Sequence, residues 1–256
     1  MKKLLPLALL FACNSGLASD TIQHQIDFGV SDLYDFDDNF VGIAYTYAFE
    51  DLASASGPHN IKTYLNRINT LSTRALVLDD FYDIDVEYTH YFDNALVVRS
   101  NVEYAKDNDF NNEYLMLNGE LGNNITTNLQ LGVGVTYLYR NESDVFGVQD
   151  SSNNWRLTPY VRYTKIEQGQ GWDFVFKQIS GKEDYYQGRA DYYINENWFI
   201  GIQALAQTNE LDNNNFEVQT QYWFNEHFSF NFGLGAGFGD DSSGLDSVTL
   251  LMTSRF

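Results

Sequence analysis

Hydrophobic and polar residues alternate with a period of two along most of the chain from residue 22 to residue 256. In the clearest run, Phe228 and Phe230 lie on one face while Ser229 and Asn231 lie on the other. Because successive side chains of a β-strand point to opposite faces, this pattern predicts strands with one apolar and one polar face. We expect fourteen strands, with twelve as the alternative, at residues 22–31, 39–49, 60–78, 82–92, 95–106, 113–122, 128–140, 155–166, 171–180, 184–194, 197–208, 214–224, 227–238 and 246–256.

Two of these strands have irregular patterns. Residues 60–78 show no steady period, so this segment is either one long strand or a strand preceded by an irregular stretch. Pro159 lies on the apolar face of its strand, and a residue without an N–H interrupts the ladder unless a bulge absorbs it. Keeping the third strand makes the number even, which places both ends of the mature chain on the same side of the sheet.

The connections between strands alternate between tight turns and longer acidic loops. The seven longer loops hold 20 of the 35 acidic residues, and they are 32–38, 79–83, 107–113, 141–154, 181–184, 208–215 and 239–246. Short turns on one side and long loops on the other are typical of outer-membrane β-barrels, whose long loops are extracellular. The longest loop, 141–154, is expected either to fold into the pore as a gate or to lie over its mouth.

The N-terminus has the features of an export signal. A basic start at Lys2 is followed by the apolar run 4–12 and by small residues before a cleavage point. Cleavage is expected to remove residues 1–18 and to leave 19–256 as one transmembrane barrel. Lipidation of Cys13 is the alternative, because the residues before it loosely resemble a bacterial lipobox.

Composition narrows the classes of function. The net charge of -20 argues against nucleic acid as a partner, because phosphate binding needs clustered basic residues. A single cysteine excludes a disulfide framework, and we expect no cofactor and no metal. No apolar run approaches the roughly 20 residues of a transmembrane helix, so the membrane would be crossed by strands. A soluble sandwich also alternates, but aromatic residues at the strand ends favour a membrane barrel.

The last residue resembles an assembly signal. Phe256 is preceded at alternate positions by Met252, Leu250 and Val248, as in the C-terminal signature of bacterial outer-membrane barrels, although Ser254 departs from it. This resemblance implies recognition of Phe256 by the barrel assembly machinery. It also implies an integral outer-membrane location, with lipid and lipopolysaccharide as the surroundings.

A further resemblance rests on residues 35–67. The acidic segment Asp35-Phe36-Asp37-Asp38, the strand Tyr45-Thr46-Tyr47, and the path from Gly57-Pro58 to Tyr64-Leu65-Asn66-Arg67 resemble the general bacterial porins of Gram-negative bacteria. In that family a Gly-Pro turn precedes a strand of similar sequence. The resemblance implies a diffusion pore, and the short chain favours a monomer over a trimer.

The polar face of the strands carries charges of both signs. The residues that we expect to line the pore are Arg99, Glu103, Glu120, Arg156, Arg162, Lys177, Arg189, Asp191 and Glu217. Such charges either set ion preference or pair across strands and brace the wall. We therefore predict a porin for ions and small hydrophilic solutes, with cation preference from the acidic outer loops. The alternative is a non-conducting barrel that acts as an adhesin, receptor or structural protein.

An enzyme is not predicted. Asp83, Asp85 and His90 superficially resemble the acids and histidine of outer-membrane proteases, but His90 falls on the lipid-facing side of its strand. The sequence also lacks a nucleophile elbow and a paired-histidine zinc motif.

Overall fold

The described residues form one antiparallel β-barrel. The computed structural model describes residues 21–31, 40–78, 80–93, 95–108, 111–143, 149–180, 184–207, 214–238 and 245–256. The fourteen strands are β1 (His24–Ser31), β2 (Phe40–Ala48), β3 (Thr70–Leu78), β4 (Phe81–Tyr91), β5 (Leu96–Asp107), β6 (Asn112–Asn124), β7 (Leu129–Ser143), β8 (Gln149–Glu167), β9 (Gln170–Ile179), β10 (Tyr185–Asn195), β11 (Trp198–Gln207), β12 (Asn214–Asn225), β13 (Phe228–Phe238) and β14 (Leu245–Arg255). Each strand pairs with its neighbours in sequence, and β1 pairs with β14 from Gln25↔Arg255 to Val30↔Leu250. This closure leaves no strand edge, so the predicted fold class and strand number are confirmed.

The two faces of the barrel differ as the alternation predicts. Large apolar side chains point outward, and Leu121 and Leu157 are 50% and 52% exposed. Polar side chains such as Gln130 and Thr253 point inward and are buried. An apolar outside and a polar inside are the arrangement of a barrel surrounded by lipid.

For the third predicted strand, 60–78, the structure confirms the second alternative, a strand preceded by an irregular stretch. β3 begins at Thr70, and residues 49–69 connect β2 to β3 through a 3-10 turn, His59–Ile61, and a short helix, α1 (Lys62–Leu65). This connection lies at the end of the barrel that holds the tight turns and both termini, which is the periplasmic end of such barrels. The expectation of short periplasmic turns therefore fails at this one connection. Within the described ranges, no helix is long and apolar enough to cross a membrane.

The expected long loop at 141–154 is mostly strand. The ladder between β7 and β8 continues without a break to Ser143↔Gln149, so only residues 144–148 lie outside the described part of this hairpin. Residues 149–154 are therefore wall rather than an inward-folded gate. The outer segments 32–39, 181–183, 208–213 and 239–244, together with the predicted signal at 1–18, lie outside the described residues.

Pro159 interrupts one ladder of its strand but needs no bulge. The β7–β8 register passes through Val133↔Pro159 unchanged. Regular β8–β9 pairing stops at Tyr160↔Lys177 and resumes as a single bridge between Leu157 and Ser180. The missing N–H therefore falls in the gap of the β8–β9 ladder.

Most of the buried apolar residues gather around the β2–β3 connection. One cluster joins Leu52 and Ile68 of the connection to Ile22 and Ala48. A second cluster joins Ile61 to Tyr193 and Phe199 of the opposite wall, with Leu65 and Ile166 beside it. Since the apolar side chains of the strands face outward, these clusters are the hydrophobic core of the described protein, and they seat the connection inside the barrel.

Candidate functional site: the plugged lumen

Residues 49–69, named the plug below, cross the lumen at its periplasmic end. The backbone N–H of His59 donates to the carbonyl oxygen of Glu196, in the β10–β11 turn, at 2.9 Å. Asn60 Nδ2 donates to the hydroxyl of Tyr193, on β10, at 3.5 Å. In the strand order of the barrel, β10 lies seven strands away from β3 and six from β2. The plug therefore leaves one wall and ends against the opposite one.

A turn and a polar bridge shape the plug locally. Gly57 has φ +93°, a conformation that favours glycine, and it lets the chain turn before Pro58. Asn66 Nδ2 then donates to the carbonyl oxygens of Ser56 and Lys62, at 2.8 and 2.9 Å. Arg67, with φ +54°, ends the helical turn. The Gly-Pro and Asn-Arg residues singled out in the sequence thus close a compact loop, not a strand.

The ring of His59 is the part of the plug nearest the C-terminus. It stacks on the indole of Trp223, with ring centroids 5.2 Å apart. Arg255 Nη2 donates to the carbonyl oxygen of His59 at 3.0 Å, and its guanidinium lies 4.1 Å over the ring of Trp223. Burial lowers the pKa of His59 to about 4, and the positive charges of Lys62 and Arg255 act in the same direction. In the seated plug this imidazole is neutral at neutral pH.

Lys62 places a cation inside the plug. The residue is 6% exposed, and its Nζ donates to the carbonyl oxygen of Leu52 at 3.4 Å. Burial lowers the pKa of its ammonium, and the charge of Glu226 opposes this effect. Among the described residues, one long hydrogen bond holds this buried cation, and the desolvation of the ammonium opposes that bond, so Lys62 stabilises its surroundings weakly.

Tyr64 connects the plug to the charged wall. The guanidinium of Arg162, on β8, lies 3.3 Å from the centroid of the Tyr64 ring. A cation over an aromatic face is attracted by the ring quadrupole by about 0.5–2 kcal/mol. The contact ties α1 to the wall on the side away from β2 and β3.

Arg162 belongs to a cluster that spans three strands. Its Nε and Nη2 donate to the two carboxylate oxygens of Asp173, each at 2.8 Å. Arg189 Nη2 donates to the same carboxylate at 3.0 Å, and its Nε lies 3.1 Å from Asp191. Both carboxylates are fully buried. The cluster braces β8, β9 and β10 at the height of the plug.

A second cluster lies beside it on the wall. Glu120 accepts a hydrogen bond from Lys177 at 2.7 Å and one from Arg99 at 3.4 Å. Both cations also lie near the ring of Tyr160, at 5.6 Å for Arg99 and 5.8 Å for Lys177. The hydroxyl of Tyr160 donates to Gln130, which is completely buried.

The remaining predicted residues are spread along the wall. Arg156 lies 5.0 Å over the ring of Tyr185. Glu103 sits opposite Asp85 on the neighbouring strand. Glu217 lies 3.5 Å from the hydroxyl of Thr249. All nine predicted residues occupy inner-face positions, and the structure brings six of them together in the two clusters: Arg99, Glu120, Arg162, Lys177, Arg189 and Asp191.

Two polar cavities lie in the described lumen above the plug. The inner cavity, of about 360 Å³, is bounded by Thr63, Tyr64 and Ile68 of the plug. The outer cavity has a volume of about 490 Å³ and lies nearer the extracellular mouth. Gln187 and Gln203 line both cavities, so the two are adjacent. The described lumen therefore holds polar space between the plug and the outer ends of β10, β11 and β12.

Sequence reasoning missed the residues of the plug. His59, Lys62 and Tyr64 were placed in or beside a strand, although they carry the contacts to the opposite wall. The signal that could have found them is Gly57-Pro58 followed by an irregular apolar pattern, since a Gly-Pro pair and a lost period both mark a break in a strand.

A closed antiparallel barrel with an apolar exterior, a polar lumen and aromatic residues near its rims defines the class of protein: it is an integral outer-membrane β-barrel with the fold of porins. No protein-family model matches the chain, and no curated protein does.

Solved structures agree on this fold. The chain is similar to the outer membrane protein Omp33 of Acinetobacter baumannii, with 15% identity, a TM-score of 0.64, and coverage of 92% of this chain and 98% of Omp33. It is also similar to the monoaromatic hydrocarbon channel CymD, with 10% identity, a TM-score of 0.52, and coverage of 93% and 89%. BamA from Haemophilus ducreyi, lacking POTRA domains 1–3, matches with 10% identity and a TM-score of 0.51 over 92% of this chain and 70% of BamA. The resemblance to porins inferred from the sequence is thus confirmed at the level of fold.

Proposed function

We propose that this barrel is a porin through which ions and small hydrophilic solutes diffuse, and that the plug controls passage from the periplasmic end. The observation that carries the proposal is the plug itself, which bounds the polar inner cavity of the lumen. The charged wall residues named above would then line the conducting path. We propose a transport role and no catalytic one.

The contacts of the plug are compatible with release. Phe49 N–H donates to the carbonyl oxygen of Asn69 at 3.0 Å, so the β2–β3 hairpin remains paired up to the two ends of the plug. Between these ends, the plug is held by noncovalent contacts. The barrel wall therefore does not depend on the plug for its closure, because β2–β3 pairing runs from Val41↔Val77 to Ala48↔Thr70.

The decisive experiment removes the plug and keeps the hairpin. In this variant an Asn-Gly pair, which favours a two-residue hairpin turn, replaces residues 50–68. We expect the folded variant to conduct in stable open steps in planar bilayers, and the intact protein to be mostly closed. If the variant is folded and inserted but does not conduct, the porin proposal fails, and the non-conducting barrel becomes the better hypothesis.

A locked variant provides the matched control. His59 and Glu196 share a backbone hydrogen bond, which brings their Cα atoms near the 4.4–6.8 Å range of a disulfide. Residues 19–256 contain no cysteine, so H59C/E196C in a protein lacking residues 1–18 would form one disulfide. We expect no conductance when it is oxidised and frequent opening when it is reduced. Equal conductance in both states would contradict a moving plug.

Selectivity follows from the same proposal. We propose that cation preference is set at the outer mouth, where the loops concentrate acidic residues and favour cation entry, and that it outweighs the cations on the inner wall. The reversal potential of the plug-deleted variant in a salt gradient tests it. A potential of the sign expected for anions would refute cation preference without touching the channel role.

Targeting and assembly complete the proposal. We propose that residues 1–18 are removed, that the barrel is a monomer among lipid and lipopolysaccharide, and that the assembly machinery recognises Phe256. The backbone of Phe256 exchanges hydrogen bonds with His24, at 2.9 and 3.0 Å, so the last residue helps to close the barrel. F256A should reduce the amount assembled in cells while a refolded sample remains stable. The mass of the mature protein tests the cleavage point and the alternative lipid on Cys13.

A further inference from the structure

Most of the charged side chains that line the inner cavity are cations. The charged residues that line it are four cations and one carboxylate: Arg99, Arg162, Lys177, Arg189 and Glu87. They come from β4, β5, β8, β9 and β10, so they converge from several directions on one space of about 360 Å³.

The acids that balance these cations lie behind them. The side chains of Glu120, Asp173 and Asp191 are 3%, 0% and 1% exposed, and none of the three lines the cavity. The side chains of Lys177 and Arg189 are 28% and 34% exposed. The carboxylates therefore fix the cations in place, while the cavity itself meets mostly N–H groups.

These cations have N–H donors that their carboxylate partners do not engage. A guanidinium has five N–H donors and an ammonium has three. Asp173 accepts from Nη2 of Arg189, and Asp191 lies 3.1 Å from its Nε. Asp173 also accepts from Nε and Nη2 of Arg162. Lys177 gives one bond to Glu120. The donors left on these fixed side chains suit an anion, because hydrogen bonds between charged partners are stronger than neutral ones.

The rest of the lining suits hydroxyl groups and a ring. Thr63, Thr89, Gln187 and Gln203 offer neutral donors and acceptors. Tyr64, Tyr91 and Tyr160 add aromatic surface beside them. We infer that the inner cavity is a binding site for a small solute with a carboxylate on a hydroxylated ring, that is, a sugar acid. The inference rests on the proposed entry of solutes from the outer mouth.

Occupancy of the site does not require the plug to move. The cavity lies on the extracellular side of Tyr64 and shares Gln187 and Gln203 with the outer cavity. A solute that enters from the outer mouth, as proposed above, would therefore reach the cations while the plug remains seated. Binding can for this reason be measured on the closed protein, independently of conductance.

The test is calorimetric titration of the intact barrel in detergent with glucuronate, and with glucose as the neutral ring of the same size. We expect glucuronate to bind, glucose not to bind, and the affinity for glucuronate to fall as salt is added. Equal heats for the two sugars would overturn the inference without requiring any variant.

A pair of variants places the site. K177Q removes a lining cation, and we expect it to weaken glucuronate binding about tenfold, as for the loss of one charged hydrogen bond. K165Q removes the same charge from an exposed position near the periplasmic end of β8, where Lys165 pairs with Glu167, and should bind like the unaltered protein. Equal affinities of K177Q and K165Q would refute the site. If K177Q does not fold, K177R, which keeps the charge, is expected to retain binding, and loss of binding in folded K177R would count against simple anion recognition.

The outcomes separate this inference from the proposed function. Glucuronate binding without conductance in the plug-deleted variant would keep the site and refute the porin. Conductance without glucuronate binding would keep the porin and refute the site.

Discussion

Acidification should release the plug through His59. The residue is 7% exposed, and its pKa is about 4 in the seated plug, whereas a released and hydrated histidine has a pKa of about 6.5. The seated state thus binds fewer protons between these two values. The contribution of His59 to seating is therefore complete above pH 6.5 and is lost as the pH falls toward 4.

The size of the effect follows from the two pKa values. They differ by about 2.5, which would multiply the ratio of released to seated plug about twentyfold between pH 7 and pH 5. Water at the periplasmic opening screens part of the electrostatic effect on His59, so we expect the open probability to rise about tenfold between pH 7 and pH 5. The lowered pKa has named causes, namely burial and then the charges of Lys62 and Arg255.

Single-channel recordings at pH 7, 6 and 5 and constant ionic strength measure this rise. H59Q keeps a polar side chain that does not titrate, and its open probability should vary much less with pH. H90Q removes a histidine on the outer face, beside Tyr88, and should keep the pH response of the unaltered protein. A response shared by H59Q and the unaltered protein, or an opening that declines on acidification, would refute the reasoning.

Three further predictions follow from the plug and its seat. Y64L retains apolar bulk but loses the attraction to Arg162, so the open probability should rise about 3- to 30-fold in bilayer recordings, and an unchanged value would count against this contact. K62M replaces a buried cation with an apolar side chain of similar length, so the plug should seat more tightly and the open probability should fall several-fold. A rise in open probability would show instead that the ammonium stabilises the plug. G132A places a methyl group against the ring of Tyr160, and we expect a loss of about 1–3 kcal/mol in the free energy of unfolding, read from urea titration in micelles. An equally stable G132A would mean that the ring can move without loss.

The period-two pattern of the sequence was sufficient to predict the strands of the barrel wall. In β13, and in β14 from Val248 onward, every second residue is apolar or small, and these two strands fall within about two residues of their predicted ends. A one-residue slip would have turned each lumen charge toward lipid, so the pattern determines the face strongly. For this reason all nine predicted charges, including Glu103 and Glu217 far from the clusters, occupy inner positions.

The plug could not be recognised in the same way. α1 has four residues, too few to establish a helical period. Its seat is formed by residues distant in sequence, since His59 stacks on Trp223 and Ile61 packs against Tyr193. The apolar residues that form this core look, one by one, like the lipid-facing residues of a strand. Only the three-dimensional path distinguishes them.

The sign of the charges that line the inner cavity depends on the register between neighbouring strands, which composition does not reveal. Asp173 and Asp191 stand directly opposite each other on β9 and β10, an unfavourable pairing for two carboxylates. Arg162 and Arg189 relieve it, because both guanidiniums bind Asp173 and Arg189 also reaches Asp191. The acids are thereby covered, and the cations are left toward the lumen. A slip of the β9–β10 pairing by two residues would keep the same charges inside the barrel but would separate the two carboxylates. The pairing of these strands, rather than the number of charges, therefore determines the sign of the charge that the cavity presents to a solute.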